Sequence, residues 1–453
     1  MDTTLNPQDL SGILDRLTEA NHQVAVAYPG DSPDRQPVHT VYGGAQLFSA
    51  DVVRKLGGAA VRLFHEYAPD ADTFAGALAL AGDDAFHRTV HERVAAKLAR
   101  EPIEDFRIDF EDGYGNRLDP EEDGHAVGCG EETARGLAEG TLPPWIGIRI
   151  KPLTEELKVR GLRTLDLYLT ALTRTSGGRL PAHFIVTLPK IQTPEAVSAL
   201  VTALERLESK LGLPARAIPI ELMIETPQSI FGPDGRVVLP DLLRAGKGRV
   251  RGAHFGTYDY TASCNITARF QQHQHPACDF ARHVMQVSLA ATGVSLSDGA
   301  TTVMPVTPHR AAAGSALTPA QLEGNRAAVH HAWKLHFDDV RSSLRHAYYQ
   351  GWDLHPGQFP TRYAALYSFF LESKADASER LKAFVAKSAQ ATLVGATFDD
   401  AATGQGLLNF FLRGLNCGAI TEDEALATGL TIDELRLRSF VKILNLRRAA
   451  ARR

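Results

Sequence analysis

The chain has 453 residues, of which 44% are hydrophobic and 22% are charged, and its formal net charge is -5. These are globular values, and the acidic balance excludes the basic surface that nucleic-acid binding requires. The amino terminus lacks the basic and apolar regions of a signal peptide, and the four cysteines are scattered without metal-ligand spacing. No apolar run is long enough to span a membrane. We therefore expect a cytoplasmic protein with a small-molecule partner, no membrane and no nucleic acid.

Short apolar runs rich in Val, Ile and Phe recur along the chain, separated by segments long enough for a helix. Helical spacing of apolar residues, as in TPEAVSALVTALERLESKLG at 193–212, predicts helices between the runs. Alternating strands and helices predict parallel strands with right-handed crossovers, and eight such units predict a (β/α)8 TIM barrel. The eight runs lie at 38–43, 106–112, 145–152, 183–190, 218–226, 250–260, 301–306 and 351–356.

The pattern changes to helix throughout after about residue 362. We predict an N-terminal helical segment at 1–30, a barrel domain at 31–361 and a helical C-terminal domain at 362–453.

The predicted strands generally carry their apolar part first and their charged residues at the carboxyl end. In a barrel of parallel strands these ends and the following loops surround the active site, so the side chains should converge on one basin. The converging residues are Asp109, Glu111, Asp112, Arg149, Lys151, Lys190, Glu225, Asp259 and His355.

The acids among them suggest a metal site. Three carboxylates as close as Asp109, Glu111 and Asp112 repel one another unless a cation or a proton compensates. Glu225 and Asp259 end otherwise apolar strands, and hard cations such as Mg²⁺ take carboxylate oxygens while keeping positions open for water and substrate. The alternative is that each acid pairs with an arginine or caps a helix.

The basic residues and histidines are open to more than one interpretation. Arg149 can hold a substrate carboxylate or stabilise an oxyanion, form a salt bridge to the acids at 109–112, or do both. Lys190 is similar, although lysine at a strand end can also reach solvent. His273 and His275 favour surface or capping roles over a metal, and His355 favours orienting a loop. No glycine-rich nucleotide-binding motif occurs.

Six motifs in one order give the chain a resemblance to a known family, the superfamily of the citrate lyase beta-subunit and malate synthase. These are Mg²⁺-dependent barrels of the phosphoenolpyruvate/pyruvate type, within the aldolase/citrate lyase group, that act on 2-oxo acids. The motifs are DFEDGYG at 109–115, IRIKP at 148–152, LPKIQTPEA at 188–196, IETPQSIF at 224–231, GTYDYTAS at 256–263 and GWDLHPGQFP at 351–360.

The resemblance implies roles for individual residues. Glu225 and Asp259 match the acids that ligate Mg²⁺ or Mn²⁺, and Arg149 matches the arginine that contacts the oxo acid. The remaining matches imply a shell around the metal, made by Asp109, Glu111, Asp112 and His355; a substrate-binding segment, Gly256, Thr257 and Tyr258; and a second basic group in the catalytic site, Lys190.

A further match lies beyond the barrel. The segment TFDDAATGQGLLNFFLR at 397–413 resembles the malate synthase lid whose aspartate deprotonates acetyl-CoA, and this aspartate corresponds to Asp400. The alternative is that Asp399 or Asp400 simply caps a helix. The chain departs from malate synthases at Thr257 and Tyr258, where they carry arginine and tryptophan, and after the lid aspartate, so neither glyoxylate nor coenzyme A is implied firmly.

These observations predict a Mg²⁺-dependent carbon–carbon lyase or synthase of the aldolase type, acting on a 2-oxo acid, with an acyl-CoA as a candidate second substrate. Arg149 would neutralise charge and Asp400 would move the proton. The alternatives are a retro-aldolase that uses no coenzyme A and a barrel that binds metal and ligand without catalysis. Whether the chain forms a homo-oligomer is left open.

Overall fold

Eight parallel strands form a closed barrel in which each strand pairs with the next along the chain and the eighth pairs with the first. This confirms the predicted (β/α)8 TIM barrel. The computed structural model describes residues 4–30, 32, 34–312, 314–386, 392–394, 397–399 and 401–450. The barrel strands are β1 His39–Gly44, β2 Asp105–Asp109, β3 Trp145–Arg149, β4 Phe184–Leu188, β5 Ile220–Ile224, β6 Val250–Phe255, β7 Ser295–Ala300 and β8 Gln350–Asp353.

Helices surround the barrel and continue past its last strand, where two short antiparallel strands, β9 Thr392–Val394 and β10 Thr397–Asp399, also lie. None of the helices in the described part of the chain combines the length and apolarity that crossing a membrane requires. The helices are α1 Pro7–Ala27, α2 Val52–Tyr67, α3 Ala71–Leu78, α4 Asp84–Arg100, α5 Asp119–Glu139, α6 Lys158–Ser176, α7 Pro194–Leu211, α8 Leu239–Ala245, α9 Thr257–Ser263, α10 Pro276–Leu289, α11 Pro319–Arg345, α12 Phe359–Ala386, α13 Ala401–Asn416, α14 Glu422–Leu426, α15 Ile432–Arg436 and α16 Phe440–Ala450.

The predicted seventh strand is wrong in position. The apolar run at 301–306 is irregular, and β7 precedes it in the more polar segment SLSDGA. Asp298 of β7 is buried, and its Oδ1 accepts a hydrogen bond from Arg282 Nε of α10 at 2.7 Å. A buried ion pair of this kind lets a polar segment enter the barrel, and residue-by-residue apolarity does not reveal it.

Alternation along each strand decides which residues enter the barrel. In β2, Arg107 reaches across the interior to Glu221 of β5, whereas Phe106 and Ile108 belong to the apolar core. Because side chains alternate with a period of two, Asp109 shares the inward direction of Arg107 and is the last such position of β2. The same counting from Glu221 brings Glu225 inward at the end of β5. Because side chains alternate along each strand, both acids point inward at the carboxyl rim of the barrel.

The two ends of the chain differ in how they pack. No residue of α1 is buried, whereas α12 packs against α4 and α11 and buries Tyr363, Phe370 and Phe384. The helix α12 spans residue 361, the predicted end of the barrel domain. The division into three domains stays a prediction.

Candidate active site

The predicted site residues collect at the carboxyl rim of the barrel. Asp109 and Arg149 end β2 and β3, while Lys190, Glu225 and Asp259 follow β4, β5 and β6 within four residues. We call seven residues at this rim the mouth cluster: Asp109, Glu111, Asp112, Arg149, Lys190, Glu225 and Asp259.

Arg149 is held by two carboxylates and lies beside two aromatic rings. Its Nε and Nη2 donate to Asp109 Oδ1 and Oδ2 at 2.7 and 2.5 Å, and its Nη1 lies 3.1 Å from Glu111 Oε2. The guanidinium carbon lies 4.7 Å from the ring centre of Tyr42 and 5.9 Å from that of Trp352. Burial opposes the charge, but Asp109 and Glu111 raise the pKa of Arg149 well above its ordinary value. Arg149 therefore stays charged.

Asp109 is fully engaged by the protein. Besides the two bonds from Arg149, its Oδ1 accepts the backbone N–H of Glu111 at 3.0 Å and its Oδ2 that of Gly113 at 2.7 Å. Thus Arg149 compensates part of the charge at 109–112, as the salt-bridge interpretation predicts. Asp109 therefore holds Arg149 and the turn at 111–113 in place.

Lys190 lies among the remaining acids. Its ammonium contacts Glu111 Oε1, lies 3.0 Å from Asp112 Oδ2 and lies 3.3 Å from Asp259 Oδ2. Burial raises the pKa of Asp112, but the charge and hydrogen bond of Lys190, the contact with Glu111 and the charge of Arg149 together lower it more, and the net shift is downward. For Glu111 burial prevails and the pKa is raised despite Arg149 and Lys190. One ammonium therefore lies beside three carboxylates and partly compensates their charge.

Glu225 is the most deeply buried acid that lacks a full ion pair. Its side chain is 1% exposed, and its Oε1 accepts the backbone N–H of Lys190 at 2.6 Å. Burial first, and the charge of Asp259 second, raise the pKa of Glu225 to about 8. A Cβ on Gly256 would lie only 2.5 Å from Glu225 Oε2, so glycine is required where α9 begins. The two acids predicted as metal ligands thus act on each other electrostatically.

The charge balance of the mouth cluster fits a divalent cation. Five carboxylates face two cationic groups, Arg149 and Lys190, which leaves a formal excess of three negative charges. Hard cations such as Mg²⁺ prefer carboxylate oxygens, and the buried Glu225 with Asp259 offers them without a competing arginine. The residues present therefore suit Mg²⁺ or Mn²⁺.

A second acidic group lies on the outside of the protein. Asp72, Asp84 and His87 form the one group of three acid, histidine or cysteine ligand atoms within 4.8 Å of one another among the described residues. Both acids are exposed, and such groups commonly form without an ion. The mouth acids do not meet this spacing as a trio, and the Lys190 ammonium lies between several of them.

The predicted substrate segment is packed against β7. Thr257 is 1% exposed, and its Oγ1 has no hydrogen-bond partner among the described residues. The hydroxyl of Tyr258 accepts a hydrogen bond from Thr302 Oγ1 at 3.0 Å, and burial raises the pKa of Tyr258. These contacts fix Tyr258 to the loop after β7. Their role in binding a substrate stays a prediction.

The histidines have structural contacts. His355 Nδ1 accepts the Gly357 N–H at 3.0 Å and closes the turn after β8 with Gln358, and none of its hydrogen bonds to described residues reaches the mouth acids. His275 caps α10, whereas His273 is buried beside Asp298 and Arg282. Asp400, the predicted base, lies outside the described residues.

Sequence reasoning missed the groups beneath the mouth. Tyr42 and Trp352 lie next to each other beside Arg149, and Trp352 Nε1 donates to His254 Nδ1 at 2.9 Å. Below them lies an inner cluster of four residues, Asp105, Arg107, Glu221 and His254, in which Arg107 lies 2.5 Å from Asp105 and 2.6 Å from Glu221. A signal existed: Arg107 precedes Asp109 by two residues and Glu221 precedes Glu225 by four, so each pair has the same strand parity.

Solved structures share this fold. A citrate lyase from Burkholderia xenovorans LB400 is 19% identical with a TM-score of 0.54, over 87% of this chain and 97% of that chain. At this identity the likeness shows the fold alone. Two others have lower TM-scores: CitE from Mycobacterium tuberculosis in complex with magnesium, acetoacetate and coenzyme A (14% identity, TM-score 0.45, 84% and 99% covered) and Haloferax volcanii malate synthase with pyruvate and acetyl-CoA (14%, 0.44, 91% and 98%).

Sequence comparison gives a family without an activity. No curated protein matches the chain. One family model matches residues 17–443, and therefore both the barrel and most of the helices that follow it. The chain belongs to the family described as Domain of unknown function (DUF6986).

Proposed function

We propose that this chain is a metal-dependent enzyme that makes or breaks a carbon–carbon bond of a 2-oxo acid, in the manner of aldolases and citrate lyases. The single observation that carries the proposal is the crowding of carboxylates at the mouth, where buried Glu225 lies close enough to Asp259 for burial and that acid to raise its pKa to about 8. The barrel that holds it is shared with a citrate lyase. The motif resemblance to citrate lyases and malate synthases also supports it.

Glu225 and Asp259 would hold Mg²⁺ or Mn²⁺. When bound, such an ion polarises the oxo group of the substrate and stabilises negative charge that develops beside it. Asp109, Glu111 and Asp112 would act from the surrounding shell, since Asp109 is occupied by Arg149 and two backbone N–H groups.

Arg149 would bind the substrate carboxylate. A guanidinium has five N–H groups, and the contacts with described residues use three of them, two on Asp109 and one on Glu111. Two remain for an anionic ligand. Because Asp109, Tyr42 and Trp352 already fix the plane of the guanidinium, the substrate would meet it in a defined orientation.

The proton transfer is assigned to Asp400, which would act as base from the segment after β10 with an acyl-CoA as second substrate. Gly256, Thr257 and Tyr258 would line the substrate side, and Lys190 would supply a second positive charge. The assignment to Asp400 rests on the motif at 397–413.

Two assays test this function. One measures pyruvate released from 4-hydroxy-2-oxo acids, and the other measures acetyl-CoA consumed with a 2-oxo acid, each with Mg²⁺ and with EDTA. We expect turnover in one of them, lost with EDTA and at least about 100-fold lower in Glu225→Gln, because a lost ligand should cost more than an outer-shell change. Turnover with acetyl-CoA indicates a synthase, and pyruvate release indicates a retro-aldolase.

The control is Asp72→Asn/Asp84→Asn, which removes the exposed acidic group outside the mouth cluster and should leave turnover unchanged. Metal-independent turnover, or full activity in Glu225→Gln, would contradict the proposal. Metal binding without turnover in either assay would favour a barrel that binds ligands without catalysis.

A further inference from the structure

Lys190 has an unusual backbone conformation. Its φ is +47°, in the left-handed region that residues with a Cβ rarely adopt. Non-glycine residues persist there when surrounding contacts hold them, and such positions gather at functional sites. Here the backbone N–H donates to Glu225 Oε1, and the side chain reaches Glu111, which follows β2, and Asp259, which follows β6. The left-handed residue thus points both of its donors into the mouth cluster.

The ammonium of Lys190 lies where charge compensation is required. It contacts Glu111, lies 3.0 Å from Asp112 and lies 3.3 Å from Asp259, and the side chain is 27% exposed. Burial opposes its charge, but Glu111, Glu225 and Asp259 together raise the pKa of Lys190. The group therefore remains a cation.

The ammonium and the proposed metal share one carboxylate, that of Asp259. A Mg²⁺ ion on a carboxylate oxygen of Asp259 sits about 2.1 Å from that oxygen. Asp259 Oδ2 already has the ammonium at 3.3 Å, so the ion and the ammonium would be adjacent like charges if Lys190 did not move. Adjacent like charges in a half-buried site repel strongly.

We propose that the Lys190 ammonium is the resident cation of the metal-free mouth and competes with the divalent metal for Asp259. This inference rests on the proposed metal-dependent function. Metal binding releases the ammonium from Asp259, and the released group can then pair with the carboxylate of a 2-oxo acid. Lys190 accordingly lowers metal affinity in the absence of substrate.

Titration with Mn²⁺ by calorimetry tests the inference directly. Lys190→Met and Lys190→Gln remove the competing charge, and both should bind Mn²⁺ about tenfold or more tightly than the wild type. The control is Lys158→Met, which removes a lysine paired with exposed Glu155 and should leave the affinity unchanged. Equal or weaker affinity in both Lys190 variants would overturn the inference.

Labelling of the wild-type protein provides a test that needs no variant to fold. Acetylation of Lys190 by an N-hydroxysuccinimide ester, followed by mass spectrometry, should increase when Mg²⁺ is added, because the ammonium leaves its acids. Unchanged labelling at saturating Mg²⁺ would contradict the competition. If neither the wild type nor the Lys190 variants bind Mn²⁺, the proposed function itself fails; if the wild type binds and the variants bind no tighter, only the role of Lys190 fails.

Discussion

Two glutamates four residues apart, one in β5 and the other directly after it, behave oppositely. Glu221, in the inner cluster, is bound by Arg107 and lies near His254; burial would raise its pKa, but these partners lower it below the ordinary value. Glu225, in the mouth cluster, receives one backbone N–H and faces Asp259, and its pKa is raised to about 8. Glutamate thus completes an ion-pair network in the inner cluster, whereas in the mouth cluster it lies beside another carboxylate.

This difference separates a structural acid from a candidate ligand. A buried carboxylate with a matched guanidinium gains little from a further cation, whereas one with a carboxylate neighbour gains much. Substitutions at the two levels should therefore differ in what they change: folding stability at the inner cluster, metal affinity at the mouth.

The largest expected effect on stability is that of Glu221→Gln. Removing one partner of a buried ion pair leaves Arg107 with less compensation, and the free energy of unfolding should fall by about 3 kcal/mol. Chemical denaturation in EDTA measures it. Glu225→Gln, measured alongside, should be as stable as the wild type or more so. Equal losses in the two variants would remove the distinction between the clusters.

The acid dependence of stability sharpens the same distinction. Because the folded pKa of Glu221 lies below the ordinary value of 4.5, its contribution to stability is present above pH 4.5 and is lost as the pH falls below that value. Thermal unfolding from pH 6 to pH 3 should therefore show a shallower fall in melting temperature for Glu221→Gln than for the wild type. A parallel fall would argue that Glu221 is not held as an anion.

A smaller effect is expected of Gly256→Ala. The φ of Gly256 is -102°, so alanine meets no backbone strain, but its Cβ would lie 2.4 Å from Glu225 Cβ. Overpacking should lower the unfolding free energy by about 1 to 3 kcal/mol and, by displacing Glu225, weaken Mn²⁺ binding. Gly124→Ala, with open space around its Cβ in α5, is the matched control and should show neither change. Unaltered Mn²⁺ affinity in Gly256→Ala would show that Glu225 tolerates displacement.

The smallest effect distinguishes two threonines of α9. Thr257→Val replaces a buried hydroxyl that has no partner among the described residues and should stabilise the protein by about 1 kcal/mol. Thr261→Val removes a hydroxyl that donates to Thr257 O at 2.7 Å and should destabilise it by a similar amount. Differential thermal melts compare the two. A loss of stability in Thr257→Val would mean that its hydroxyl has a partner in solution.

The barrel could be predicted from sequence because seven of the eight strands are apolar runs, and six of these runs have polar or charged residues at their carboxyl ends. The position of the remaining strand, β7, could not be predicted, because the buried Asp298 in it depends on an ion pair with Arg282 of α10. At the site, parity predicts that Asp109 and Glu225 share the rim. The hydrogen bonds between Arg149 and Asp109 and the left-handed backbone of Lys190 depend on three-dimensional contacts. The residue types at these positions do not predict them.

The contacts that hold the Arg149 side chain in place have a consequence for ligand affinity. Long side chains ordinarily lose rotamer entropy when they engage a ligand, and here that loss has already occurred during folding, through Asp109 and the two aromatic rings. A carboxylate arriving at this guanidinium would thus be bound with little entropic penalty from the protein. Tyr42 and Trp352 would thereby influence the dissociation constant without touching the ligand.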